Sequence, residues 1–334
     1  MTGNETAPAF GPALEAPDTP KQTRWQQFWR LFRQNRMAIL GMVIFIAFFG
    51  IALLGLALTS GSSPKFDPSI IRLQEKLRPP LSTPNLTSLR PHEVPSLGRY
   101  VFGTDDLGRD VFARMLQGAW VSLTVGFVAV GISVCIGIFL GGIAGYYGQQ
   151  RVFPRPLPAI TIDTLIMRLV DIMLCFPSFF LILTVVAILP PSIYNIMIVI
   201  GLTSWMGATR FVRAEFLSLR EQDFVSAARA LGVGNLRIIF RHIMPNAVAP
   251  VLVSATIGIA GAMLTEAGLS FLGFGVPPPH ATWGNILSDG KRFIFDAPWL
   301  TFIPGTAILI VVLAFNLFGE GLRDVLNPRL RERP

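Results

Sequence analysis

Uncharged apolar runs alternate along this 334-residue chain with short basic segments and proline-rich polar ones. The first run, Met37–Thr59, holds 23 residues without a charge, and about 20 are enough to cross ~30 Å of hydrocarbon. Its length and its distance from Met1 argue against a cleaved signal peptide. Further runs fall at Ala119–Tyr147, Val170–Leu189, Ile193–Phe211, Asn246–Ser270 and Pro298–Gly319. The pattern predicts an all-α integral membrane protein of six transmembrane helices, with both termini on one side.

The segments between the runs divide the chain. Residues 1–23, rich in Pro, Ala and Thr, read as a disordered tail. Within 24–60, Arg24, Trp25, Trp29, Arg30, Phe32, Arg33 and Arg36 precede the first span. Their spacing fits an amphipathic helix at the membrane surface and equally a plain charged flank. An outer loop follows at 61–118, proline-rich to about residue 96 and then expected to order around Phe102–Phe112. There Thr104 or Asp105 is expected to cap a short helix carrying Leu107, Val111 and Arg114. Five spans occupy 119–320, and a short tail ends the chain at 321–334. Successive prolines at 154, 156 and 158 forbid a helix and predict a stiff connector.

Composition narrows the class. Hydrophobic residues make up 51% of the chain and charged ones 14%, against about 25% charged in soluble domains. The net charge of +8 is explained by arginines flanking apolar spans, so nucleic acid is not an expected partner; the lipid bilayer is. Segments 1–36, 148–168, 210–245 and 320–334 hold 18 of the 28 basic residues. This bias places them, and both termini, in the cytoplasm. Cys135 and Cys175 lie inside apolar runs, where packing is expected rather than a disulfide, and three scattered histidines give no metal cluster.

One cytoplasmic insert, Glu221–Asn246, stands apart because it is charged, rich in small residues and bounded by helix signals. Asp223 is expected to cap a helix with an apolar stripe at Phe224, Ala227, Ala228 and Leu231. Gly232 is expected to end it in a left-handed turn. Eight residues make a rod of about 12 Å, slim enough for a cleft on a partner. A second helix, Leu236–Met244, is expected to place Arg237 and Arg241 on one face before Pro245 resets the chain direction. The reading is a docking element.

Three further features bear on a pore. Gly137, Gly141 and Gly145 repeat every fourth residue in the second span, a strip that lets another helix approach closely. Glu266 falls late in the fifth span, where an unpaired carboxylate is costly. It is expected at a subunit interface, a water-filled path or the outer boundary, with substrate contact and structural pairing both open. Asp171, near the inner end of the third span, is expected to pair with Arg168 or Arg210.

Several stretches resemble one family. Ser226-Ala-Ala-Arg-Ala-Leu-Gly232 followed by His242-Ile-Met-Pro245 resembles the EAA loop of binding-protein-dependent ABC transporter permeases. Gly103-Thr-Asp-Asp-Leu-Gly-Arg-Asp110, Met167-Arg-Leu-Val-Asp171, Leu264-Thr-Glu-Ala-Gly-Leu-Ser-Phe-Leu-Gly273, Trp283-Gly-Asn285 and Ala314-Phe-Asn-Leu-Phe-Gly-Glu-Gly-Leu-Arg-Asp324 are similar to the dipeptide/oligopeptide permeases of the DppC/OppC type. The resemblance covers roughly residues 24–331. It implies a type I importer fold in a bacterial or archaeal plasma (inner) membrane, carrying peptides or, in relatives of the same fold, nickel, glutathione or another small solute. It also implies ATPase coupling through Asp223, Ser226, Ala227, Ala228, Gly232, Arg237, Arg241 and Pro245. The implied partners are a second DppB/OppB-like permease, two ABC ATPase subunits and an extracytoplasmic solute-binding protein. The implied subunit is not an enzyme and holds no cofactor. It has no Gly-x-x-x-x-Gly-Lys-Ser/Thr phosphate loop, so ATP belongs to the partners. One departure is Ser226, where the family often has glutamate. Counted from Asp223 as cap, Ser226 cannot complete a capping box, a loss of roughly several tenths of a kcal/mol.

Overall fold

The computed structural model describes residues 24–61, 64–150 and 160–326. The expected tail at 1–23 and the proline connector lie outside the described residues. Helix α1 (Arg24–Gln34) is followed by α2 (Arg36–Thr59), with Asn35 between them accepting from Ala38 N at 3.1 Å. That cap satisfies one of the free first-turn donors. Of the two readings of the basic segment, the structure shows a helix: Phe32 is buried with Ala38 and Val325, while Arg33 lies 5.0 Å over the Trp29 ring.

The loop at 61–118 is ordered well before residue 96, contrary to expectation. Its hub is the buried Glu75, whose Oε1 accepts from Asn85 N and whose Oε2 accepts from Arg78 Nε, both at 3.0 Å. Leu81 N donates to Tyr100 O at 2.7 Å, and Tyr100 N returns to Ser82 O at 2.9 Å. Prolines stiffen this path and lower the entropy it loses on ordering.

Helix α3 (Val111–Tyr147) begins at Val111 rather than Ala119, and its cap is Asp110, accepting from Phe112 N at 2.9 Å, not Thr104 or Asp105. Asp105 is otherwise engaged: it is buried and bonds Arg114 Nη1 at 2.6 Å and Arg109 Nε at 2.7 Å. The third apolar run is two helices, α4 (Ile162–Leu174) and α5 (Ser178–Ile188), bent by 78°. Pro177 lies at the bend, where it lacks a donor and biases Phe176 away from helical backbone. The fourth run also breaks, into α6 (Ile193–Thr203) and α7 (Trp205–Arg220), bent by 43° at Ser204.

The insert supplies α8 (Asp223–Ala230) and α9 (Asn235–Ile238), and α10 (Met244–Phe271), α11 (Trp283–Gly290) and α12 (Trp299–Leu326) complete the described helices. Four helices among the described residues are singly long and apolar enough to cross a membrane, and each bent pair makes one further candidate, so up to six spans result. Helix α3 is central, touching α2, α6, α7 and α10. A Cβ on Gly137, Gly141 or Gly145 would stand 2.5 Å from Ala208 Cβ, Thr209 O and Phe216 Cβ respectively, so the glycine strip is the seam where α7 lies directly on α3. Both cysteines face out of the chain rather than into its core.

Candidate functional site

The insert is held from below by its own chain. Val225 (0% exposed) and Ala228 are buried with Val212 and Phe216 of α7, Tyr146 of α3, and Ile238 and Ile243. The expected stripe therefore splits: Ala228 turns inward, while Phe224 (41% exposed), Ala227 and Leu231 (83% exposed) face away. Leu236 and Phe240 are exposed close by in sequence, as are Arg229, Arg237 and Arg241. An eight-residue helix clamped on one side thus carries an uncovered apolar ridge on the other, within a basic segment.

Two details correct the sequence reading. The cap of α8 is Gln222, in extended conformation with no side-chain bond, and Asp223 is the first helical residue. Its carboxylate still favours that end of the helix dipole, but Ser226 falls one place past the capping-box position, so the expected loss does not arise. Second, Pro245 does not end a helix. Residues Ile239–Ile243 form a π turn in which Met244 N donates to Ile239 O, and the chain is one 37-residue helix from Asn235 to Phe271. The wider turn carries the chain past a proline that cannot donate.

The other end of α8 closes as expected. Gly232 has φ +75°, Gly232 N donates to Arg229 O at 2.9 Å, and Val233 N donates to Ala228 O at 3.1 Å. This pair of bonds is the Schellman closure, which satisfies carbonyls otherwise left free.

Residues not singled out from sequence lock the insert to the spans. Tyr146 donates its phenolic hydrogen to Asn235 Oδ1 at 2.8 Å, and the Arg229 guanidinium lies 5.8 Å over the Tyr146 ring. Arg220 Nη1 donates to Tyr146 O at 3.3 Å and to Gly145 O at 3.4 Å, bracing the last carbonyls of α3. The signal was present: a tyrosine pair ending an apolar run directly after the glycine strip.

Asp171 is paired with Arg210 at 2.6 Å and with Arg168 at 3.9 Å, and Asp163 forms a two-pronged pair with Arg213. Together they tie α4 to α7. Glu266 is 1% exposed and accepts from Ser270 Oγ at 2.6 Å, with the Ser122 and Thr282 hydroxyls also in reach. It is held by hydroxyls of its own chain and reaches no surface of it. Among the described residues no group of three or more His, Cys, Asp or Glu side chains is placed to hold a metal.

Residues 137–332 match the family model of the binding-protein-dependent transport system inner membrane component, and 23–80 match the N-terminal transmembrane domain of oligopeptide transport permease C. The dipeptide transport system permease protein DppC of Alkalihalophilus pseudofirmus is 40% identical over 99% of this chain and 100% of its own. Its namesake in Haemophilus influenzae is 38% identical over 96% and 99%. Among solved structures, an inward-facing form of the MetNI methionine ABC transporter aligns with 64% of this chain and 97% of its own, at 18% identity and a TM-score of 0.47.

Proposed function

The chain belongs to the binding-protein-dependent transport system inner membrane components, and on that premise we propose that it is a permease subunit of an ATP-driven importer of dipeptides or oligopeptides. It forms the pore with a second, related permease, takes cargo from an extracytoplasmic solute-binding protein, and holds no nucleotide itself. Two ABC ATPase subunits supply the energy. Both termini and the Glu221–Asn246 insert face the cytoplasm, which the arginine bias supports.

The observation that carries this reading is the two-sidedness of α8. Val225 and Ala228 fasten it to three helices of the pore while Phe224, Ala227 and Leu231 stay uncovered. A helix laid in a groove on the ATPase is the recurrent way such a ridge is recognised. Covering one large apolar side chain stabilises the contact by roughly 1.5–3 kcal/mol. Motion of the ATPase then reaches α3, α7 and α10 through one rigid element, and the spans alternate their access.

The test is co-purification of the assembled importer through a tag on this chain. Leu231→Glu with Phe224→Glu is expected to release the ATPase subunits while the second permease stays bound. ATPase subunits that remain at parental levels would show that the ridge is not their docking site.

A further inference from the structure

A cavity of about 420 Å³ opens among the middle of α3, the middle of α10 and the break between α6 and α7. Ser133 is the central residue of the apolar run Ala119–Tyr147 and Gly258 that of Asn246–Ser270, so the cavity lies near mid-span. Its size falls in the range of about 300–1,000 Å³ common to small-molecule sites. At Gly207 of α7 and Gly261 of α10, both lining the cavity, an added Cβ would meet nothing within 4 Å.

Its polar lining is unusual. Thr265 turns its hydroxyl back to Gly261 O of its own helix at 2.9 Å, the common habit of helical hydroxyls. Ser133, only 6% exposed, makes no hydrogen bond among the described residues, nor do the side chains of Ser204 and Ser254. All three line the cavity. Ser204 is itself the non-helical residue of the broken span, with φ −112° and ψ 1°. Irregular backbone at membrane depth persists where protein or a water-filled cavity covers it. No Asp, Glu, Lys or Arg lines the space.

We propose that this cavity is a station on the cargo's path that binds the main chain of a small peptide. The inference rests on the importer reading above and adds the site. A hydroxyl both donates and accepts, so three unpaired serines match the alternating N–H and C=O groups of a peptide backbone. A wall without charge makes no distinction between acidic, basic and apolar cargo side chains. The selecting chemistry therefore reads the feature that all peptides share.

The experiment uses the complete importer in proteoliposomes, with Cys135→Ser and Cys175→Ser as the parent and a single cysteine at Gly261→Cys or, on α7, at Gly207→Cys. Sulfonatoethyl methanethiosulfonate, a charged thiol reagent, is expected to label either site in the assembled complex. Dialanine, delivered by the binding protein during ATP turnover, should slow that labelling at least fivefold. Labelled complexes should lose more than nine-tenths of their uptake. Ser133→Asp, or Ser254→Asp, should lower uptake of Ala-Asp at least tenfold relative to Ala-Lys. Failure of the charged reagent to label overturns the proposal, because a partner helix then fills the space. Labelling only by an apolar maleimide overturns it in favour of lipid. Labelling indifferent to dialanine, in vesicles that import it, overturns the cavity assignment alone; a parent complex that imports no dialanine overturns the importer reading as well.

Discussion

Tyr146 and Asn235 meet through one hydrogen bond of 2.8 Å, which joins the last turn of α3 to the first residue of the long helix leading into α10. Removing the hydroxyl with Tyr146→Phe keeps the ring under Arg229 and loses about 1 kcal/mol. Backbone amides of 223–235 are expected to exchange with deuterium about fivefold faster, the factor that ~1 kcal/mol represents. Unchanged exchange would mean that the loop is held by its apolar contacts alone.

Substitutions on the two sides of α8 should separate folding from docking. Val225→Asp places an unpaired carboxylate among Phe216, Ile238 and Ile243 and should destabilise the chain by several kcal/mol. Leu231→Asp, at a site open to solvent, should change stability by no more than ~0.5 kcal/mol. Thermal unfolding of the purified chain reads both. By the same logic Ala228→Glu reports on packing, and equal melting points for the Val225 and Leu231 variants would contradict the split.

At Gly232 the positive φ sets the cost of any side chain, because no neighbour stands within 4 Å of an added Cβ. Gly232→Ala should lose about 1 kcal/mol, and Gly232→Asn less, since asparagine tolerates the left-handed region. Protease susceptibility of the 230–235 turn is the measurement. Alanine equal to glycine would refute a conformational origin.

The charge cluster behind the 61–118 loop is asymmetric. Asp105 is fully buried between Arg109 and Arg114, whereas Asp289, paired with the same two arginines at 3.3 and 2.9 Å, keeps a third of its side chain in solvent. Asp105→Asn removes the fully buried partner and leaves Arg109 and Arg114 to the partly exposed Asp289 alone, and should cost ~3–5 kcal/mol. Asp289→Asn should cost about 1 kcal/mol, since its carboxylate is a third exposed to solvent and the buried Asp105 stays paired with both arginines. Differential scanning calorimetry should rank them in that order.

Local signals were readable in the sequence where one run of residues settles the matter. Met37–Thr59 is a span because nothing in it is charged, and Gly232 is a left-handed stop because the next residues break the helix again. Gly137, Gly141 and Gly145 marked by spacing a strip for close helix approach, though not that α7 would fill it. What the sequence concealed depends on distant partners. Asp110 and Asp105 are both good caps by type, and only the positions of Arg109 and Arg114 decide which carboxylate is free to cap α3. Gln222 is a poor capping type, yet it precedes α8 because Val225 must point at Phe216. Glu75 sits in a proline-rich stretch that looks structureless until Asn85 and Arg78 close around it. The bends at Pro177 and Ser204 were hidden inside apolar runs whose composition is blind to direction.

The unbroken helix from Asn235 to Phe271 also has a mechanical meaning. Thirty-seven residues at 1.5 Å each make a lever of about 55 Å, wide π turn included. A swing of about 5° around one end sweeps the other through ~5 Å, close to a full helical pitch. Small displacements beside α8 are thereby geared into large ones at the far end, near Glu266 and Ser270, through a helix that also carries Pro250 in its interior.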